Sequence, residues 1–161
     1  MKPPSRLILR RPQPSRFNDE ADAVTTLLLA ARRATLPGLA EPHSDEETFD
    51  WMRNVVFPRH SVWLAVLRDE IVGFAARDGA WLTQLWVKPG WTGHGIGQQL
   101  LDATMDDAAK VTATLRCYTF QRNAGARRFY ERNGFVVKTL GDGSNNEEHE
   151  PDVCYERSLR P

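Results

Sequence analysis

Residues Gln84 to Ala103 read QLWVKPGWTGHGIGQQLLDA, and the fold turns on how this stretch is understood. An apolar run ending at Val87 passes Pro89-Gly90 into the loop Trp91-Thr92-Gly93-His94-Gly95-Ile96-Gly97-Gln98. Beyond it, Ile96, Leu100, Leu101 and Met105 recur at helical spacing. A buried strand therefore runs through a glycine loop into a helix. The first turn of such a helix carries unpaired N–H groups and the positive end of the macrodipole, and glycines let an anion approach them. A phosphate is the expected guest, unless the glycines only permit a tight turn. Two nucleotide loops fail on spacing. A GxxxxGK[ST] loop begun at Gly90 reaches Gly95 and then meets Ile96 and Gly97, without lysine or hydroxyl. The GxGxxG form fits Gly93 and Gly95 but places Gln98 at its third glycine.

Upstream, SVWLAVL, IVGFAAR and AWLTQLWV from Ser61 to Val87 are separated by the turns Arg68-Asp69-Glu70 and Asp78-Gly79, which predicts an antiparallel meander. Before it, Leu7 to Arg10 reads as a short strand and Phe17 to Leu36 as a helix capped by Asn18 or Asp19. Pro37 and Gly38 stop that helix. The polar loop LPGLAEPHSDEE, a surface connection or a lid, leads to a second amphipathic segment through Phe49, Trp51, Met52, Val55 and Val56. Downstream, VTATLRCYTF is a strand, Asn123 to Arg132 a short helix ended by Asn133-Gly134, and FVVKTL a further strand. The loop GDGSNNEEHEPD then leads to a last strand, VCYERSL. The order is mixed α+β with a largely antiparallel sheet.

The 161 residues carry 21 basic and 21 acidic side chains, 41% hydrophobic residues and a formal net charge of zero. That balance predicts a single domain over residues 1–161 and gives no support for nucleic acid or an anionic membrane as partner. Cys117 and Cys154 make no disulfide framework or CxxC pair, and His43, His60, His94 and His149 show no metal-ligand spacing. No metal is expected, and free thiols suit a cytoplasmic location. The basic, proline-broken N-terminus reads as neither a signal peptide nor a membrane anchor.

The run from Gln84, followed a strand later by NAGARRFYERNGF at 123–135, resembles the GNAT superfamily of N-acetyltransferases. The family pattern of Gln/Arg-x-x-Gly-x-Gly/Ala between strand and helix falls on Thr92, Gly95 and Gly97, with Asn123, Tyr130, Gly134 and Phe135 downstream. The resemblance implies a twisted, mostly antiparallel mixed sheet of about six to seven strands, flanked by helices as α/β/α layers. Acetyl-CoA, as cosubstrate, would lie in a cleft between splayed fourth and fifth strands. By the same resemblance, the backbone of Leu85, Trp86 and Val87 pairs with the pantetheine arm. The N–H groups of Gly93, His94, Gly95, Ile96, Gly97 and Gln98, with Thr92, hold the pyrophosphate. Asn123 contacts the cofactor, and Tyr130 reaches the thioester as the acid that protonates the leaving thiolate.

The implied activity is transfer of an acetyl group to a primary amine by direct attack in a ternary complex. The alternative is a non-catalytic acyl-CoA-binding regulatory or sensor module. Three departures matter. Thr92 replaces the usual Gln or Arg, and His94 compensates only if protonated. Trp81 and Thr83 stand where relatives carry a glutamate or histidine base on the fourth strand, and neither accepts a proton at neutral pH. The base then comes from a water chain, from an acceptor whose amine is already partly neutral, or from the acidic loop, where Glu147, Glu148 and Asp152 are candidates and Glu148 is the expected catalytic residue. That loop also favours a cationic small-molecule amine over a protein acceptor. Arg122, Arg127 and Arg128 form a basic cluster that could meet the 3′-phosphate of CoA. Trp51, Trp63, Trp81 and Trp86 are expected in the core, with Trp51 or Trp81 able to line an acceptor pocket. Cys117 lacks an adjacent histidine and is no rival nucleophile. A homodimer accords with the resemblance.

Overall fold

The computed structural model describes Pro4 and residues 6–160. The ends of the 1–161 span, and the start of the N-terminal segment searched for a leader, lie outside these residues. In chain order the elements are β1 (Ile8–Arg10), a 3-10 turn (Pro14–Arg16), α1 (Phe17–Thr35), α2 (Asp45–Trp51), a π-helical turn (Met52–Val56) and α3 (Phe57–Arg59). They continue with β2 (Ser61–Leu67), β3 (Glu70–Asp78), β4 (Trp81–Val87), α4 (Ile96–Ala108), β5 (Thr114–Phe120), α5 (Ala124–Arg132), β6 (Val136–Gly141) and β7 (Asp152–Ser158).

Helix α1 buries Ala21, Val24, Leu27, Leu28 and Ala31, the three-and-four spacing that turns one face to a sheet. Its N-terminus corrects the expected cap. Arg16 occupies the N-cap with no side-chain hydrogen bond, because the 3-10 turn feeds directly into the helix and places Asn18 and Asp19 inside it. Helix α2 begins in the loop expected after α1. Ser44 accepts from the Glu47 N–H while the Glu47 carboxylate accepts from the Ser44 N–H, a reciprocal capping box.

All seven strands form one sheet in the order β1-β2-β3-β4-β5-β7-β6. Every neighbouring pair is antiparallel except β4 and β5. The β2–β3 hairpin closes on Arg68 and Asp69, both at positive φ (51° and 64°). That is the backbone twist a two-residue hairpin needs. Core residues pack on both faces. One cluster joins Leu82, Leu100, Leu101, Leu115, Phe135 and Tyr155 under α4 and α5. The other joins α1, Met52, Val56, Leu64 and Phe74. Glu20, 2% exposed, is buried with partners: it accepts from the Arg10 guanidinium and the Gln13 N–H.

Of the four tryptophans expected in the core, Trp63 and Trp86 are half-buried against the two clusters, whereas Trp81 lies outside both and stacks on the exposed Tyr118 at 5.3 Å, and Trp51 is 37% exposed. Trp51 is exposed because it ends α2, where the helix widens into the π turn that aims Met52 inward instead. No helix among the described residues is long and apolar enough to cross a membrane.

Candidate active site

The parallel β4–β5 contact is confined to one end. Trp81 faces Arg116, and the Arg116 N–H donates to the Ala80 carbonyl at 2.8 Å. Beyond that pair the strands part, which leaves the β5-facing backbone groups of Leu82 to Val87 without a strand partner. An unpaired strand edge of this kind accepts an extended amide chain by main-chain hydrogen bonding.

The chain leaves β4 through a turn in which the Trp91 N–H donates to the Lys88 carbonyl at 2.9 Å. Gly93 and Gly95 follow at φ 77° and 78°, left-handed conformations in which a Cβ is strained, and Gly95 caps α4 without using a side chain. No side-chain cap occupies the helix start, so the N–H groups of Ile96, Gly97 and Gln98 have no intrahelical acceptor. An unpartnered strand edge and an open helix N-terminus thus lie in series, matching an amide arm followed by a pyrophosphate.

Between them lies a cleft of about 690 Å³. It is lined by Leu85, Trp86 and Val87 of β4, by Thr92, Gly93, Gly95, Ile96, Gly97 and Gln98 of the loop and α4, and by Asn123 and Tyr130. Of the expected cofactor contacts, His94 alone stays outside this lining. Its ring packs edge-on against Trp91 at 5.6 Å between centroids, turned away by the left-handed glycines on either side. Gln98 donates its amide to Asp102 and Asn133, which holds the first turn of α4 against the end of α5. Asn123 uses its side-chain oxygen to accept from the Ala126 N–H at 3.1 Å, capping α5.

Tyr130 is 8% exposed and packs edge-on against Phe129 and Phe135. Burial, reinforced by the neighbouring Cys117 thiol, raises its phenol well above the ordinary tyrosine range, so the hydroxyl keeps its proton. Cys117 is itself buried, and burial pushes its thiol up to about 12. A neutral thiol is a poor nucleophile.

The arginines of the α5 region divide their work. Arg127 donates to the Tyr155 hydroxyl at 3.1 Å, and Arg122 pairs with Glu150 and reaches the Pro37 carbonyl. Arg128 lines the cleft, joined by Arg132, which lay outside the expected basic cluster. Their spacing of four residues puts both on one helix face, a signal that was available in the sequence.

The acidic loop between β6 and β7 lies elsewhere. Glu147 meets the His43 ring at 2.6 Å, Asp152 accepts from Asn146, and neither these nor Glu148 belongs to the cleft lining. The loop thereby ties to the α1–α2 connection. Among the described residues no three His, Cys, Asp or Glu side chains gather as a metal cluster.

Residues 58–137 match the family model described as an acetyltransferase (GNAT) domain. YjaB of Salmonella typhimurium, a peptidyl-lysine N-acetyltransferase, is 32% identical over 81 residues, 50% of this chain and 53% of the relative. The match thus spans about half the length of the curated relative. The apo solution structure of Escherichia coli YjaB superposes with a TM-score of 0.72 at 23% identity, over 93% of this chain and 96% of that one. The PaiA N-acetyltransferase of Thermoplasma acidophilum, crystallised with coenzyme A, superposes with a TM-score of 0.71 at 18% identity, over 94% and 98%.

Proposed function

This chain belongs to the GNAT superfamily, and with its sheet parted at β4 and β5 beside an open helix start we propose that it is an acetyl-CoA-dependent N-acetyltransferase. The whole chain acts as one domain, since both core clusters pack on the same sheet. The single observation that carries the reading is the β4–β5 contact reduced to the Trp81–Arg116 pair. It makes room for an extended cosubstrate inside a sheet that is otherwise fully paired. Coenzyme A bound to a structural neighbour of the same fold supports that ligand class.

In this reading the β4 edge from Leu85 to Val87 aligns the pantetheine arm, and the Gly93–Gln98 segment binds the pyrophosphate through N–H groups and the α4 dipole. Arg128 and Arg132 supply positive charge along the same wall. Orientation does much of the work, because fixing amine and thioester together is worth about 7 to 11 kcal/mol in favourable cases. A neutral amine attacks the thioester carbonyl and forms a tetrahedral oxyanion, for which N–H groups near Val87 are the donors. The C–S bond then breaks, Tyr130 gives its proton to the departing sulfur, and the proton shed by the newly acylated nitrogen restores the balance.

The acceptor is a primary amine. The acidic loop that favoured a cationic small molecule has Glu147 on His43 and Glu150 on Arg122. The activity named for YjaB supports a lysyl side chain as the amine to try first. Two buried free thiols accord with a reducing, cytoplasmic setting.

The test is thiol release from acetyl-CoA with lysyl peptides, polyamines and small amines, with the product's mass measured. Amine-dependent thiol release and an added acetyl group are expected. Tight CoA binding with no transfer to any of them would favour the non-catalytic acyl-CoA-binding module, to which the Trp81 and Thr83 positions lend their support.

A further inference from the structure

The proposed chemistry needs a proton acceptor for the amine, and β4 supplies none from its own side chains at Trp81 or Thr83. The residues around Thr83 supply one. A register shift between Ala76 and Arg77 pairs Ala76 with Gln84 and Arg77 with Leu82, which leaves Thr83 as the extra residue of a β-bulge. Leu82 and Leu85 both pack into the cluster under α4, so the two residues between them project from the opposite face. Bulges re-aim side chains in this way. The Thr83 hydroxyl donates to the Ala76 carbonyl at 3.0 Å, and its oxygen lies 3.3 Å from Nδ1 of His60.

His60 is a histidine the function has not otherwise absorbed. It is held between α3 and β2, its backbone N–H donating to the Val56 carbonyl at 2.8 Å, and its side chain is 11% exposed. On the far side of the ring, Nε2 lies 3.8 Å from the Asp78 carboxylate at the end of β3. Asp78 is the one carboxylate within ion-pair distance of this ring among the described residues. A carboxylate beside Nε2 favours the tautomer with its proton there, which leaves Nδ1 as a lone-pair acceptor facing Thr83.

The register places this group where the reaction would occur. Trp81 is the last β4 residue paired to β5, and Thr83 stands two residues past it. Across the split, Cys117 stands one residue past Arg116 and lies beside Tyr130. Thr83 of β4 and Cys117 of β5, the latter beside Tyr130, thus both stand just past the paired end of the split. An arm that enters at α4 and follows β4 inward past Leu85 runs toward that end.

From this juxtaposition we infer that Asp78, His60 and Thr83 form a proton relay that deprotonates the acceptor amine. The inference rests on the acetyltransferase reading. The ammonium form of the acceptor gives one proton to Oγ1 of Thr83 as the Thr83 hydroxyl, turning from the Ala76 carbonyl, passes its own proton to Nδ1 of His60. The amine becomes neutral and nucleophilic, and the imidazole becomes an imidazolium paired by Asp78. Thr83 touches the acceptor, His60 acts through it, and Asp78 is the positioning residue. Release of the proton from His60 to solvent resets the relay, so each turnover sheds one proton here and delivers one to sulfur through Tyr130.

The experiment compares wild type, His60→Gln, Thr83→Val and Thr83→Ser, reading kcat/KM against pH together with the stabilisation each gains from CoA. His60→Gln and Thr83→Val should lose about 10²-fold in kcat/KM near neutral pH while keeping the CoA response. The gap should close as pH rises toward the range where a lysyl amine is neutral on its own, about 10.4. Thr83→Ser, which keeps a hydroxyl, should retain most of the rate. A merely structural role would leave a gap that does not change with pH. Wild-type rates and profiles in both the Gln and Val variants would overturn the relay. A loss in His60→Gln but not in Thr83→Val would overturn its passage through Thr83. Absence of transfer by the wild type would instead overturn the acetyltransferase reading itself, and the relay with it.

Discussion

Tyr130 sits with its ring between Phe129 and Phe135 and near Tyr155, so Tyr130→Phe keeps the packing and removes only the hydroxyl. With that hydroxyl as the acid, the variant should bind CoA normally and lose about 10²-fold in kcat. A kcat equal to wild type would reassign the acid. The residue scale is also where the sequence was least complete. Leu85 to Val87, the glycines and Asn123 were legible as cleft residues because backbone geometry places them, and backbone geometry follows from glycine positions and strand pattern. Glu148 is outside the lining of the cleft, and where a loop side chain points depends on packing across the chain, which no local pattern fixes. The link of His60 to Thr83 was not legible for a related reason: it is made at a bulge, and no local pattern announces which residue of β4 is the extra one.

At the scale of elements, the two ends of α4 differ. Its start is left open, while its last turn carries Asp107, a carboxylate that the helix dipole disfavours there. Asp107 accepts from Arg11, from Ser61 and from Arg77, and so ties α4 to the chain beyond β1, to β2 and to β3. Burial alone would push its carboxyl up, but these three donors outweigh burial and hold it at about 2, below its ordinary 3.8. Since the folded-state value is depressed, the stabilisation is complete above the ordinary carboxylate range and fades as pH falls from about 4 towards 2. Asp107→Asn should therefore cost about 2 kcal/mol in urea unfolding at pH 7. The difference from wild type should narrow steadily below pH 4, and a difference that stays constant with pH would remove the charge from the explanation. Element order and strand count were legible in the sequence, since alternation and helical spacing are local. The cap of α1 and the π turn were not. Each depends on how a neighbouring segment joins the helix: the 3-10 turn before Phe17, and the turn that buries Met52 while exposing Trp51.

For the whole molecule, the decisive feature is a sheet of seven strands that is paired throughout except where β4 leaves β5. The opening is bridged on one face, where Leu82 and Leu85 of β4 and Leu115 and Cys117 of β5 pack into one cluster under α4. A preformed opening binds ligand without a large ordering cost. Thermal unfolding with acetyl-CoA, CoA, ATP and NAD at matched concentrations tests this most directly. A ligand at 100 times its dissociation constant adds about 2.7 kcal/mol to the folded state, a rise of roughly 5 to 10 °C for a chain of this size. The rise should occur with acetyl-CoA and CoA and not with NAD or ATP. No rise with either CoA species at high concentration, or an equal rise with NAD, would contradict the assignment of the cleft.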